Sequence, residues 1–401
     1  GRLAPRCYSV HNGCHFGMIP ANGLWYTSSL YLNYYILGEM GLAGKREMKP
    51  DAPTAPDRLV RGPGSPGGPE AGDADWPAFR ANAMGTGRNM ASIPPKPAEL
   101  WAKKIGQRLG PPIAVGGTVY VADLDGLKVL AVDARSGAVK WSHTVGGRVL
   151  APPTYHKGTI LFGCGDGRVY CLSAADGKLV WRFRAAPALD RIIVRERLES
   201  VWPVHTGVLV SGGKALFAAG RAGTLDGGAD VFALDAATGK LAWHKHDDTV
   251  SIVQLGVTDG KSYQLHYKTR FSVANGGKGG NIKGAAHNPD VLMTSTRLGK
   301  AAKTILAKTH VRAAANDGKR VATAGPPVDK TSKRRDKGGI VNYPEDKPDL
   351  KEGVVHVFSS GGDELGSVKI DGLPVFDGLC AAGGGLFLTT QDGKLRCFGG
   401  K

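Results

Sequence analysis

Short apolar runs of strand length recur along this chain, separated by turns that contain glycine. Three stretches, 111–141, 152–181 and 203–243, share one order of elements: strand, Gly turn, strand, Gly turn, strand, a last turn closed by glycine, strand. Each stretch ends in tryptophan, and Trp141 and Trp181 stand 40 residues apart. The period and the turn residues together predict repeated four-stranded antiparallel units.

A four-stranded unit of about 40 residues has the length of one β-propeller blade. Alone it could not bury both faces, but sheets packed radially against their neighbours can. Weaker copies within 253–267, 305–324 and 354–401 extend the pattern, so we expect an all-β propeller of six to eight blades. Residues 99–105, around Trp101, read as a lone fourth strand. We expect it to complete the last blade and close the ring by joining the two ends of the chain.

The repeated residues have mechanical roles in this prediction. Tryptophan at a fixed station of each blade provides packing between blades. Glycine in the last turn suits a positive φ, and the aspartate four residues earlier bonds its own turn backbone. The repeat positions are Trp101, Trp141, Trp181, Trp243, Asp133, Asp235, Gly137, Gly177 and Gly239.

The remaining regions suggest a domain organisation. Residues 1–44 read as an incomplete blade-like segment, and 45–75, rich in Pro, Gly and charge, as a linker. Residues 76–401 form the predicted propeller, with a basic loop inserted at about 325–351. The chain begins at Gly1 without a signal peptide, which suggests a fragment or a processed product. No apolar run approaches the ~20 residues that span a bilayer.

The net charge and the cysteine spacing indicate which kinds of binding site to expect. The formal net charge of +17 favours anionic surfaces. Eleven Lys and Arg oppose three acids within 300–339, but no aromatic residue interleaves them, so we favour a solvated loop over a nucleic-acid site. The six cysteines lack zinc-ligand spacing, and no metal site is expected. Cys7–Cys14 is the favoured disulfide, whereas Cys164 and Cys171 are expected to be buried thiols.

The repeats resemble the pyrroloquinoline quinone (PQQ)-binding-like propeller family, whose hallmark is Ala-x-Asp-x-x-Thr-Gly-x-x-x-Trp. Residues 131–141 and 233–243 carry it, while the middle copy departs from it at Leu172-Ser173. The family includes quinoprotein alcohol dehydrogenases, an outer-membrane assembly lipoprotein that works as a scaffold, and large exported bacterial proteins of unassigned role. Residues 198–205 look most like the last group. The resemblance implies a periplasmic or cell-envelope setting.

A candidate binding site follows from propeller topology, because the residues leading into first strands surround the mouth of the central channel. A carboxylate, an imidazole and a guanidinium converging there could bind an anionic or sugar-like ligand, with Trp202 as a stacking face. The alternative is a core tryptophan, a satisfied strand histidine and a loop ion pair that contributes little. The candidates are Glu199, Trp202, His205, Arg221, Asp226 and Asp377.

Three functional hypotheses remain open at this point. We favour a non-catalytic binding or scaffold protein, without a cofactor, that presents its channel mouth to a protein or small ligand. The alternative is a PQQ-dependent oxidoreductase. The family's dehydrogenases hold PQQ over a calcium ion bound by Glu, Asn and Asp, a set that no motif assigns here, and their Cys-Cys pair is absent. The third hypothesis is an anionic-surface or nucleic-acid binder acting through 300–339.

Overall fold

The structure is a computed structural model, and it describes residues 18–21, 24–27, 52–194, 197–221, 228–247, 256–266, 269–280, 282, 298, 301–327 and 351–400. Within these ranges β-strands form nearly all of the regular structure, so the predicted all-β class is confirmed. The helical elements there are α1 (Ala302–Lys308) and two 3-10 turns, Pro56–Arg58 and Phe79–Ala81. Most of the predicted segment 1–44, the loop residues 328–350, Cys7, Cys14 and Asp226 lie outside the described residues.

The strands are short and antiparallel to their neighbours. The four that precede the repeats are β1 (Met18–Ala21), β2 (Leu24–Thr27), β3 (Leu59–Arg61) and β4 (Pro97–Lys104). The next are β5 (Ile113–Val115), β6 (Thr118–Asp123), β7 (Lys128–Asp133), β8 (Val139–Thr144), β9 (Thr154–His156), β10 (Thr159–Gly163), β11 (Arg168–Ser173), β12 (Leu179–Arg184), β13 (Arg191–Val194), β14 (Arg197–Ser200), β15 (Leu209–Ser211), β16 (Lys214–Ala219), β17 (Ala229–Asp235) and β18 (Leu241–Asp247). The last are β19 (Val257–Thr258), β20 (Ser262–His266), β21 (Thr269–Ser272), β22 (Ala313–Asn316), β23 (Arg320–Gly325), β24 (Gly353–Ser359), β25 (Glu364–Ile370), β26 (Pro374–Ala382), β27 (Gly385–Thr390) and β28 (Lys394–Gly400).

These strands form a series of sheets, most of them four-stranded. In order they are β5–β8, β9–β12, β15–β18, β19–β21, β22–β25, and β26–β28 with β4. The first strands adjoin one another: β22 contacts β26, β26 contacts β5, β5 contacts β9, β9 contacts β15, and β15 contacts β19. Sheets that meet in this way through their first strands are blades of a β-propeller.

The final sheet combines the two ends of the repeat region. β28 pairs with β4, and Cys397 lies opposite Trp101. The lone strand predicted at 99–105 therefore completes the last sheet, as expected. The described cysteines Cys164, Cys171, Cys380 and Cys397 are buried and free, which confirms the prediction of thiols for the first pair.

A row of tryptophans connects each sheet to the next. Every one of these indoles donates its Nε1–H to a carbonyl in the last turn of the following sheet, so the predicted packing role extends to a repeated hydrogen bond. The four bonds are Trp101 to Ala134 at 3.2 Å, Trp141 to Ala174 at 3.0 Å, Trp181 to Ala236 at 3.1 Å and Trp243 to Val273 at 3.0 Å.

The glycine of each last turn lies against the tryptophan of the preceding sheet. Gly177 has a φ of 71°, and a Cβ built on it would lie 2.6 Å from Cε3 of Trp141. The position therefore excludes other residues both by backbone conformation and by contact. Gly276 occupies the same place 2.7 Å from Cε3 of Trp243, although no Asp-x-x-x-Gly motif marks it in the sequence.

One segment of the chain crosses the region between the first strands. We call residues 75–90 the axial segment. It bonds to the first strands of five sheets, so it occupies space between those strands. The bonds are Trp76 N to Ala114 O at 2.7 Å, Tyr155 N to Pro77 O at 2.7 Å, Thr258 N to Ala83 O at 2.9 Å, Asn316 N to Gly87 O at 3.0 Å and Asn89 Nδ2 to Ala381 O at 2.7 Å.

The stretch that precedes the axial segment packs along the second sheet. β3 pairs with β12, where Val60 lies opposite Arg182. A Cβ on Gly62 would lie 2.1 Å from the carbonyl oxygen of Leu179, and Tyr155 Oη donates to the carbonyl of Pro69. The described part of the predicted linker 45–75 thus includes an added edge strand of a blade.

Candidate functional site

Three of the six predicted site residues come together in a buried cluster. Arg221 Nη2 donates to Glu199 Oε2 at 2.9 Å and to the Ser200 carbonyl at 3.2 Å. His205 Nε2 lies 3.7 Å from the same Glu199 oxygen. The side chains of Glu199, His205 and Arg221 are only 3%, 1% and 1% exposed. We call these three residues the Glu199 cluster.

The cluster is positioned by the turn between β10 and β11. Ser200 N donates to Gly165 O at 2.8 Å, and Val204 N donates to Cys164 O at 3.0 Å. A Cβ on Gly163 would lie 2.4 Å from Cγ1 of Val204, so glycine there allows the two segments to approach. Strand β14 and the residues leading into β15 are thereby held against the second sheet.

The electrostatics of the cluster keep its histidine neutral. Neither ring nitrogen of His205 has a hydrogen-bond partner within the part of the chain that the structure describes. Burial, followed by repulsion from Arg221 and Arg148, lowers the pKa of His205 to about 3. The imidazole is therefore uncharged at neutral pH, beside an ion pair formed by Glu199 and Arg221.

This arrangement makes the stability of the protein depend on pH. Below the ordinary His pKa of 6.5 the unfolded chain binds a proton that native His205 does not, so the free energy of unfolding falls as the pH drops. The slope approaches ~1.4 kcal/mol per pH unit for this group, vanishes above pH 6.5 and ends near pH 3. Urea midpoints of wild type and His205→Gln between neutral and acidic pH measure it. An unchanged slope in the variant would show that other groups carry the dependence.

Two other predicted site residues, Trp202 and Asp377, have partners outside the cluster. Trp202 is 3% exposed and belongs to an apolar cluster with Trp181 and Phe217, so its ring is part of the core in this structure. Asp377 pairs with Arg80 of the axial segment at 3.0 Å, with both side chains buried. The carboxylate of Asp377 therefore binds an arginine of the chain itself.

Sequence reasoning missed a second group of charges beside the cluster. Asp125 Oδ1 accepts hydrogen bonds from Arg148 at 3.0 Å and Arg108 at 3.2 Å, and lies 3.8 Å from Arg197. Arg108 and Arg148 come from two different connections between strands, and Arg197 begins β14. No spacing along the sequence brings them together, so no motif could have marked them.

Strands β13 and β14 form a separate two-stranded ribbon, residues 191–200, of which 195 and 196 lie outside the described residues. Ile193 and Leu198 are paired in register and are 74% and 53% exposed. Val194 and Glu199 are buried, so one face of the ribbon packs on the protein while the other presents apolar side chains to solvent. The Glu199 cluster lies at the base of this ribbon.

The basic stretch 300–339 is partly inside the fold. Its described residues 301–327 include α1, β22 and β23. Arg312 is buried, and Arg320 Nη1 donates to the Ile93 carbonyl at 2.6 Å. These two arginines therefore stabilise the fold instead of lying in a solvated loop.

The fit of a PQQ–calcium pair can be tested on the residues present. Calcium takes six to eight oxygen ligands at one place. No group of three or more His, Cys, Asp or Glu in the described ranges could hold a metal ion, and the axial segment bonds to the first strands where a central ligand would lie. These residues do not fit the pair, and we derive no step through it. None of the helices among these residues is long and apolar enough to cross a membrane.

Comparisons with known proteins find the family that the sequence repeats resemble. Residues 91–245 and 165–280 match the family model described as outer membrane protein assembly factor BamB. A BamB of Nitrosomonas eutropha is 29% identical over 165 residues, 41% of this chain and 35% of that protein. The dehydrogenase subunit of a quinone alcohol dehydrogenase from Gluconobacter oxydans is 32% identical over 147 residues, 33% of this chain and 18% of that protein. The chain thus spans about a third or less of these relatives.

The similarity to solved structures is looser. The quinohemoprotein alcohol dehydrogenase of Comamonas testosteroni superposes with a TM-score of 0.42 and 14% identity, over 82% of either chain.

Proposed function

We propose that the chain, whose residues 91–280 match the BamB family model, is a non-catalytic binding protein of the cell envelope. It would present one face of the propeller to a protein partner. The envelope setting is proposed because one relative is named as an outer membrane protein assembly factor. The proposed ring has six to eight blades, with residues 1–44 as an incomplete blade beside it.

The observation that supports a binding role most directly is the axial segment. In a propeller enzyme a central cofactor needs the space between the first strands. Here Trp76, Ala83 and Gly87 use that space for backbone bonds to the chain's own strands. The ends of the sheets and the connections between them remain as surfaces for a partner.

The Glu199 cluster is poorly suited to acid–base catalysis. A general acid or base works best with a pKa near the operating pH and within reach of its substrate. His205 is buried, and its pKa of about 3 lies far from neutrality. Arg221 bonds Glu199 and the Ser200 carbonyl, so this ion pair holds the ribbon in place.

The test is a titration of the purified chain with PQQ and calcium, followed by tryptophan fluorescence and thermal unfolding. We expect neither saturable quenching nor stabilisation, since a ligand that binds only the native state raises its stability. Chemical crosslinking in envelope fractions should in addition give a discrete adduct with a protein. Saturable stabilisation by cofactor, or the absence of any adduct, would contradict the proposal.

The second candidate is a PQQ-dependent oxidoreductase, favoured by the similarity to the quinone alcohol dehydrogenase subunit. It requires an oxygen cage for calcium that would involve residues outside the described ranges, together with a shifted axial segment. Reduction of an artificial electron acceptor by alcohols in the presence of PQQ and calcium would support this candidate over the first.

A further inference from the structure

The ribbon of residues 191–200 exposes large aliphatic side chains that do not contribute to the core. Ile193 and Leu198 lie opposite each other, and Leu189, two residues before β13, is 69% exposed. Scattered single apolar residues are normal on a protein surface, whereas a cluster on the exposed face of a two-stranded ribbon indicates a contact surface.

The surroundings of this apolar tip carry excess positive charge. Arg191 and Arg197 are exposed on the ribbon itself. Below it, the single carboxylate of Asp125 faces three guanidinium groups, and the charge of Glu199 is taken up by Arg221. The described charges at and beneath the ribbon leave two positive charges in excess. They are Arg108, Arg148, Arg191, Arg197 and Arg221 against Asp125, Asp190 and Glu199.

We propose that the ribbon tip is a membrane-surface binding element that inserts Ile193 and Leu198 into the interfacial region of an anionic lipid bilayer. Apolar side chains gain free energy by leaving water at the boundary of the acyl chains, and arginines beside them bind anionic headgroups. The buried Glu199 cluster at the base would hold the ribbon rigid against the blade. This inference goes beyond the proposed function, because it does not depend on which protein the propeller binds.

The composition of the tip favours a bilayer over a protein partner. The centres of protein interfaces are enriched in tryptophan, tyrosine and phenylalanine, which anchor in pockets. The exposed large apolar residues here are the aliphatic Leu189, Ile193 and Leu198. An exposed group of aliphatic side chains flanked by arginine suits a soft, negatively charged surface better than a preformed pocket.

The experiment is flotation of the purified chain with lipid vesicles. The vesicles contain phosphatidylcholine alone, or phosphatidylcholine and phosphatidylglycerol at about two to one. We expect binding to the anionic vesicles that weakens with salt, and little binding to neutral ones. Ile193→Ser combined with Leu198→Ser should weaken the partitioning at least about tenfold. Arg191→Gln combined with Arg197→Gln should weaken it on anionic vesicles only.

The matched control replaces two exposed apolar residues elsewhere, Leu100→Ser with Val139→Ser, which are 61% and 46% exposed in the wild type. It should bind vesicles like the wild type, and thermal unfolding should show every variant folded. Absence of vesicle binding by the wild type, or equal losses in the ribbon and control variants, would overturn the proposal. A ribbon variant that loses its protein crosslink, in a chain that never binds vesicles, would instead identify the tip as a protein-docking surface. Cofactor titration is independent of these outcomes, so this inference and the proposed function can fail separately.

Discussion

Asp377→Ala is expected to lower the free energy of unfolding by about 3–5 kcal/mol, because it leaves a buried arginine without its carboxylate. Arg80 Nη2 lies 3.0 Å from Asp377 Oδ2, and the two side chains are 5% and 6% exposed. The loss arises from the uncompensated charge more than from the missing hydrogen bonds. Equilibrium denaturation in urea, with the midpoint and slope compared between variant and wild type, measures it.

Two further variants separate that effect from a simple loss of contacts. Arg80→Met combined with Asp377→Leu removes both charges and should cost less than Asp377→Ala alone. Lys178→Ala breaks an exposed ion pair with Asp176, whose side chain is 45% exposed, and should cost less than about 1 kcal/mol. If Asp377→Ala costs no more than Lys178→Ala, the buried ion pair contributes little to stability.

The backbone conformation at this ion pair adds to the expected loss of unfolding free energy. Arg80 and Asp377 have φ values of 53° and 55°, in the left-handed region that costs non-glycine residues about 1–2 kcal/mol each. Such conformations persist where the surrounding contacts fix them. The ion pair joins the axial segment to β26, so its hydrogen bonds hold two strained residues in place across 297 positions of sequence.

The blade architecture was predictable because its signal is local and repeated. Trp141 and Trp181 recur at a fixed spacing, and turn glycines such as Gly177 precede each by four residues. Each blade carries its own copy of the information, and radial packing follows because an isolated sheet cannot bury both faces. The lone strand around Trp101 was placed by the same logic, since the last sheet lacked one strand.

The axial segment was not predictable because its partners are distant in sequence and follow no period. Trp76 bonds to Ala114, whereas Gly87 bonds to Asn316, and no residue pattern records either pairing. The Glu199 cluster was predictable in part. Its members flank the first two strands of the third sheet, so topology suggested their proximity. Their burial results from packing on the turn at 163–168, which sequence alone does not show.

Trp181→Ala should cost about 3–5 kcal/mol of unfolding free energy, at the upper end for a core truncation. The Trp181 side chain is fully buried and donates its Nε1–H to Ala236 at 3.1 Å, so the change creates a cavity and leaves a carbonyl without its donor. Trp101→Ala, in the same repeat position at the closing sheet, should cost less because Trp101 is partly exposed. Urea denaturation monitored by far-UV circular dichroism compares the two. Equal losses would mean that the burial of a tryptophan does not determine how much it contributes to the free energy of unfolding.

Substitution of a last-turn glycine tests the contact between that glycine and the tryptophan of the preceding sheet. Gly177→Ala places a methyl group 2.6 Å from Cε3 of Trp141 at a φ of 71°, so backbone strain and overpacking add. Gly117→Ala, at a φ of 73° with no atom within 4 Å of the new methyl, isolates the strain of about 1–2 kcal/mol. We therefore expect Gly177→Ala to exceed Gly117→Ala by roughly 1–3 kcal/mol. A difference near zero would show that the tryptophan ring moves aside, and that the turn glycine is required only for its backbone conformation.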